Sequence, residues 1–132
     1  MNRCVNILIV ACILPGSLSV SEQLADSKWL VEDIFGRGVI DNLQTTLEFG
    51  ADSRVGGRAG CNRWTASWRV AGDNLALGPV ATMRMACTPA VADQEQKFLA
   101  ALAAVRTFRI HAHGLLILFN GKGAPLIRAS RH

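Results

Sequence analysis

Alternation of apolar and polar positions is the main regularity of this chain after residue 26. The segment RWTASWRV, residues 63–70, places Trp64, Ala66 and Trp68 on one face of a strand and polar side chains on the other. Shorter runs of this kind, separated by glycine-rich stretches, predict further strands over 27–34, 45–49, 53–57, 74–77, 80–83, 108–111, 115–119 and 125–128. Gly72-Asp73-Asn74 has the composition of a hairpin turn.

Only one segment has a helical pattern. Thr88-Pro89 predicts the N-cap and the first helical residue, because the fixed φ of proline suits the first turn. Asp93 and Glu95 are interpreted as acidic residues near the positive end of the helix dipole. An apolar stripe follows at helical spacing: Phe98, Leu99, Leu102 and Val105. The order of strands, one helix and further strands indicates an α+β domain with an antiparallel sheet, because a doubly wound fold would alternate strand and helix.

The first 21 residues have the organisation of an export signal. Arg3 is followed by the apolar run CVNILIVACIL and then by small residues that offer a cleavage site at Ser17, Ser19 and Ser21. The run is shorter than the roughly 20 residues that span a bilayer. A second interpretation is a lipoprotein signal, since IVAC over 9–12 resembles a lipobox and would put a lipid anchor on Cys12. A buried N-terminal strand or helix is the third.

Both export interpretations place residues 22–132, predicted to form a single domain, in the periplasm or cell envelope. The formal net charge of the 132 residues is +4, carried by arginines that are scattered singly along the chain. Nucleic-acid binding would require a concentrated basic patch and a recognisable motif, so we predict no nucleic-acid partner.

Removal of the signal would leave two cysteines, Cys61 and Cys87, for which an oxidising compartment favours one disulfide. A nucleophilic cysteine would need a base, and a zinc site would need three or more ligands; the spacing supports neither. Two free or buried thiols are the alternative that the sequence leaves open. The glycines around Cys61, at positions 56, 57 and 60, predict a sharp strand bend.

Other polar groups do not form a catalytic or metal-binding set. His111 and His113 share one strand face but supply only half a metal site, so we interpret them as a solvated strand edge. Glu32 and Asp33 are adjacent on a strand and are expected to point to opposite faces, which excludes them as an acid–base pair. We therefore predict no enzyme activity, no metal and no cofactor.

Three blocks of sequence resemble the META domain family, typified by the bacterial heat-shock protein HslJ. They are GCNRW over 60–64, TMRMAC over 82–87 and QExxFLxxL over 94–102. The resemblance implies a strongly curved antiparallel sheet, similar to a partly open barrel, with one main helix packed on it. It also implies that Gly60, Asn62 and Thr82 are structural signature positions together with the two cysteines. Members of the family are often exported or lipid-anchored, are associated with stress, and have no established catalytic activity.

Two hypotheses about function follow. The first is an exported, non-enzymatic and stress-related envelope domain that binds a protein partner or stabilises an envelope assembly. The alternative is a carrier or sensor of a small apolar ligand such as a lipid chain. Trp64 and Trp68 are interpreted as core residues, but together with Phe119 they are also the side chains that would line such a ligand cavity or contact a partner.

Overall fold

The computed structural model describes residues 23–132. The export signal predicted over residues 1–21, including the lipid-anchor position Cys12, lies outside these residues and stays a prediction. Within the described part of the chain, no helix has both the length and the apolar character that crossing a membrane requires.

Residues 23–132 contain ten strands and one long helix. The strands are β1 (Ser27–Ile34), β2 (Arg37–Gly38), β3 (Thr46–Phe49), β4 (Arg54–Arg58), β5 (Arg63–Ala71), β6 (Asn74–Leu77), β7 (Ala81–Thr82), β8 (Thr107–His111), β9 (Leu115–Phe119) and β10 (Pro125–Arg131). The helix α1 (Pro89–Ala104) lies between β7 and β8. Thr88 is extended and precedes Pro89 at the helix start, as predicted, although its side chain makes no capping hydrogen bond.

Eight of the strands form a closed antiparallel barrel. Their order is β10-β9-β8-β6-β5-β4-β3-β1, and β1 pairs again with β10 to complete the circle. The short strands β2 and β7 add to β1 and β5 at the margin of the barrel. The predicted α+β fold, a strongly curved antiparallel sheet with one helix, is confirmed, and the sheet closes completely. Closure matters because it leaves the eight strands without a free edge.

One seam of the barrel is much narrower than the others. A single residue pair, Asn74 with Thr107, joins β6 to β8, whereas five pairs join β1 to β10. Two backbone hydrogen bonds support the seam: the N–H of Leu75 donates to the carbonyl of Arg106 at 2.9 Å, and the N–H of Phe108 donates to the carbonyl of Asp73 at 3.0 Å. The barrel is therefore closed but weakly fastened at this position.

Large apolar side chains fill the interior. Alternation along β5 buries Trp64, Ala66 and Trp68 and exposes the polar residues between them. The Trp64 ring meets Phe98 of α1 edge-to-face at 5.6 Å between centroids, and the Trp68 ring meets Phe49 of β3 in the same way at 5.3 Å. Other fully buried side chains of the core are Trp29, Leu47, Leu75, Leu116, Leu118 and Ile127. The core thus joins the inner face of the barrel to the apolar face of the helix.

The expectation that Glu32 and Asp33 point to opposite faces is wrong. The register between β1 and β10 shifts between Val31 and Asp33, which is a β-bulge. Because a bulge interrupts the strict alternation of side chains, both carboxylates reach Arg128 of β10, at 3.8 Å from Glu32 and 2.5 Å from Asp33. Arg128 and Glu32 are exposed and Asp33 is partly exposed, so the pairs contribute little to stability.

Candidate functional site

The four residues between β4 and β5 form a hydrogen-bonded turn that carries one of the two cysteines. Ala59 N–H donates to the carbonyl of Asn62 at 2.8 Å and closes the turn. Within it, Cys61 forms the predicted disulfide with Cys87, which lies just before helix α1; their Cα atoms are 6.1 Å apart and 26 positions separate them in sequence. On the loop-entropy model, a cross-link over a loop of this length stabilises the fold by roughly 3 kcal/mol.

Asn62 connects three segments of the chain at this turn. Its backbone N–H and its side-chain Nδ2 donate to the two carboxylate oxygens of Glu95, at 3.0 and 2.8 Å. Its Oδ1 accepts from the N–H of Met85 at 2.8 Å, and Nδ2 also donates to the Met85 carbonyl at 3.2 Å. A buried amide that has all its polar atoms occupied specifies one arrangement of its surroundings. The β4–β5 turn, the segment before α1 and the helix itself are therefore held in a single register.

Glu95 has a different role from the one predicted. It is buried, with 9% of its surface exposed, and no acidic residue lies in the first turn of α1. Its carboxylate accepts the two hydrogen bonds from Asn62 instead of balancing the helix dipole in solvent. The pattern that reveals this is positional: Glu95 and its neighbour Gln94 precede Phe98 by three and four residues, so they lie on the apolar face of the helix.

Glycine at position 60 allows the helix to approach the turn. A Cβ atom there would lie 3.1 Å from both Cβ and Oε1 of Glu95 and 3.3 Å from the carbonyl oxygen of Val91. A side chain is tolerated even less at Gly57 of β4, because its φ is +147° and a Cβ would lie within 2.6 Å of the Thr46 carbonyl oxygen. These glycines serve close packing of the backbone against its neighbours, and β4 pairs with β5 without a register shift. The strand bend stays a prediction.

The remaining predicted site residues are distributed over the barrel. Thr82 of β7 pairs with Trp64 of β5. Trp64 and Trp68 are buried, and their indole N–H groups donate to the carbonyls of Thr46 and Gly50, each at 3.2 Å. Phe119 is half-buried on β9, which β8 and β6 separate from β5 in the sheet. The two tryptophans are therefore satisfied core residues.

One cluster of potential metal ligands exists among residues 23–132. The sulfur atoms of Cys61 and Cys87 and a carboxylate oxygen of Glu95 all lie within 4.8 Å of one another. His111 and His113 are exposed and belong to no such cluster in this part of the chain.

An apolar groove lies beside the first two turns of helix α1. Its volume is about 350 Å³, and its apolar lining comes from the β1–β2 hairpin and from α1: Ile34, Phe35, Ile40 and Ala90. Phe35 and Ile40 are exposed, at 46% and 37%. Gln94 fixes one wall, since its Oε1 accepts from the N–H of Ile40 at 2.8 Å and its Nε2 donates to Thr45 Oγ1 at 3.2 Å.

A sequence profile of the META domain matches residues 22–132. The chain belongs to the META domain family. This confirms the resemblance that the three sequence blocks indicated. No functionally curated protein matches the sequence.

Solved structures show the same fold as this META domain. An NMR structure of a protein from Burkholderia xenovorans has a TM-score of 0.68 and 19% identity and covers 95% of this chain and 96% of its own. A second NMR structure gives 0.66 and 21%, covering 84% and 94%. A crystal structure of a DUF4847 family protein from Bacteroides vulgatus gives 0.61 and 14%, covering 85% and 96%. At these identities the likeness concerns the fold alone.

In this META domain, the three sequence blocks contain the residues that meet at the β4–β5 turn and the disulfide. They do not contain the exposed apolar residues of the groove, Phe35 and Ile40. Phe35 follows the first predicted strand, over 27–34, and neither Phe35 nor Ile40 was predicted to have a functional role. The signal that was present is a phenylalanine beside Gly36 in a two-residue hairpin turn, where asparagine or aspartate is the usual residue.

Proposed function

We propose that this META domain is an exported, non-enzymatic envelope protein that acts by binding another protein, in a stress-related role. META is in general a non-enzymatic domain family, and the Cys61–Cys87 disulfide is compatible with an oxidising compartment. The stress-related part follows from the resemblance to heat-shock members. It is tested by the level of the protein after a temperature upshift.

The observation that carries the binding proposal is the conformation of Phe35. Its φ is +53°, in the left-handed region, and Gly36 follows at +78°. A non-glycine residue there costs roughly 1–2 kcal/mol, and the aromatic ring gains little burial in return, because it is 46% exposed beside the groove. Exposed apolar side chains held in a strained turn are typical of recognition sites.

The residues that line the groove indicate which side chains a partner would present to it. An apolar side chain of the partner would pack between Phe35 and the start of α1, as an anchor residue does in protein interfaces. Lys97 at the rim is engaged by Asp93 at 2.9 Å, whereas Arg37 is exposed in β2 and forms none of the ion pairs found among residues 23–132. A carboxylate on the partner, next to its apolar anchor, is therefore expected to meet Arg37.

A carrier of apolar ligands fits the structure less well. Trp64, which would line the ligand cavity, is 1% exposed and packs against Phe98. Trp68 packs against Phe49 in the same interior. The two tryptophans named for a ligand cavity are thus packed against other core side chains.

Phe35→Asn tests the proposal, because it should affect binding and stability in opposite directions. Asparagine before glycine is the preferred pair of this hairpin turn, so we expect the variant to be as stable as the original protein or more stable. Removal of the ring should abolish capture of the partner from cell envelopes by chemical cross-linking, read out by mass spectrometry.

Met83→Gln is the matched control for this experiment. Met83 is 53% exposed, so it is an accessible apolar side chain that does not line the groove. One protein captured by the original chain and by Met83→Gln, and lost with Phe35→Asn, supports the proposal. Equal losses with both variants would mean nonspecific apolar adhesion, and unchanged capture with Phe35→Asn would exclude the groove.

A further inference from the structure

We infer that Cys61, Cys87 and Glu95 form a binding site for a thiophilic divalent cation such as Zn²⁺ when the disulfide is reduced. This site is independent of the groove. Its three ligand atoms come from the β4–β5 turn, the segment before α1 and the second turn of the helix, so the fold assembles it from distant parts of the sequence.

The three ligand atoms are close enough to coordinate one ion tetrahedrally once the disulfide is reduced. Zinc–sulfur bonds of about 2.3 Å require two sulfur ligands roughly 3.8 Å apart, and a carboxylate oxygen binds zinc at about 2.0–2.2 Å. The three ligand atoms all lie within 4.8 Å of one another, and the cysteine Cα atoms are 6.1 Å apart. Separation of the two sulfurs by side-chain rotation therefore completes a three-ligand set and leaves a fourth position for water or another donor.

Glu95 provides an independent observation that points to a cation. It is more than nine-tenths buried, and it takes part in none of the ion pairs found among residues 23–132. Two hydrogen bonds from Asn62 occupy one acceptor position on each oxygen, while a carboxylate offers about four such positions. A buried carboxylate without a counter-ion is costly, and a cation at the two sulfurs would lie next to its free lone pairs.

Asn62 lies next to two of the three proposed ligands, Cys87 and Glu95. Its Nδ2 lies 3.5 Å from Cys87 Sγ and 2.8 Å from Glu95 Oε2. The hydrogen bond to Glu95 orients the carboxylate, which is how groups next to metal ligands tune a metal site. The signature residue Asn62 then acts as a positioning residue.

Reduction is the step that opens the site. Both cysteines are partly exposed, so a dithiol reductant can reach the bond. The reductant supplies two electrons and two protons, the Cys61–Cys87 S–S bond breaks, two thiols form, and the reductant becomes a disulfide. Binding of the cation then displaces the two thiol protons and leaves two thiolates as ligands. While the Cys61–Cys87 bond is intact neither sulfur is a thiolate, so affinity for the cation at this site depends on redox state.

The test uses the purified protein with Cys4→Ser and Cys12→Ser, so that only Cys61 and Cys87 contribute sulfur. Under anaerobic conditions, Co²⁺ is titrated into the oxidised protein and into protein reduced with a phosphine. We expect a thiolate-to-cobalt charge-transfer band and tetrahedral d–d bands only after reduction, saturating at one equivalent, and displacement of Co²⁺ by Zn²⁺.

Variants assign the ligands. Cys87→Ser should abolish the charge-transfer band of the two-thiolate site, and Glu95→Gln should weaken binding by roughly tenfold or more. His111→Ala should leave both the spectrum and the affinity unchanged. Tryptophan emission and circular dichroism establish that each reduced sample is folded.

Three outcomes would overturn the inference. The first is a reduced, folded protein that gives no cobalt band. The second is full affinity in folded Glu95→Gln, which would mean that the two thiolates alone bind the ion. The third is unfolding on reduction, because the site exists only in the folded domain. None of these results would affect capture of a partner through Phe35, so the two proposals fail separately.

Discussion

Asn62 shows how much a single buried amide can determine. Its backbone and side chain bind Glu95 and its side chain also binds Met85, which makes four hydrogen bonds of 2.8–3.2 Å among segments separated by more than twenty positions. An aspartate or a serine has the wrong donors or the wrong reach for this set. The asparagine is therefore required by geometry at the point where the turn, the disulfide and the helix meet.

Asn62→Ala should lower the free energy of unfolding by roughly 2–4 kcal/mol, because it removes a buried hydrogen bond to the Glu95 carboxylate and leaves partly buried backbone groups of Met85 without partners. Urea denaturation of the oxidised protein measures the change. Gln96→Ala, at an exposed position of the same helix, should change stability by no more than about 0.5 kcal/mol. An Asn62→Ala protein as stable as Gln96→Ala would contradict the network.

The sequence identified Asn62 but not its partner. The motif around Cys61 is local and can be read directly, whereas Glu95 lies 33 positions away. An acidic residue near a helix start has a common explanation in the helix dipole, and only the fold shows that this one faces inward. Contacts between distant residues depend on register, which alternation and spacing do not determine.

At the scale of elements, prediction succeeded where a pattern was long enough to be read. β1, β6 and β9 begin and end as predicted, because each alternates or is bounded by glycine and turn residues. β2 was missed because two residues cannot show a period. The bulge in β1 was missed as well, since nothing in the local sequence marks the point at which pairing with β10 shifts.

The β6–β8 seam is the element-level feature with the clearest dynamic consequence. One residue pair and two backbone hydrogen bonds hold it. Every other junction of the barrel has at least two residue pairs, and that between β8 and β9 has five. Local opening takes place where the fewest interactions must be broken at once.

We expect the amides of Leu75 and Phe108 to exchange with deuterium faster than those paired between β1 and β10. Both amides donate hydrogen bonds across the β6–β8 seam. Separation of β1 from β10 would break the pairing of five residue pairs and expose core side chains to water. Hydrogen exchange followed by NMR distinguishes the two groups. Equal protection in both would mean that the barrel opens only as a whole.

Residues 23–132 form a closed barrel with a core of large apolar side chains. All three tryptophans are buried, at 0%, 1% and 7% exposure, and the helix completes the core through Phe98. We therefore expect binding on the outer surface, at places such as the groove and the disulfide corner. Composition alone could not show this, because the same apolar residues could also line an empty cavity.

Titration with a long-chain fatty acid should produce no saturable change in tryptophan emission, because no tryptophan is free to contact the ligand. The emission should also resist quenching by acrylamide until the protein unfolds. A lipid-binding protein under the same conditions provides the positive control. A saturable response at one equivalent would restore the carrier hypothesis.

The pairing of β1 with β10 places both ends of the domain side by side. Trp29 pairs with Arg131, and the N–H of His132 donates to the carbonyl of Lys28 at 2.8 Å. Polypeptide that precedes the barrel and polypeptide fused after residue 132 therefore emerge from one corner. An affinity tag or fluorescent protein appended after residue 132 would therefore lie next to the segment that leads into β1.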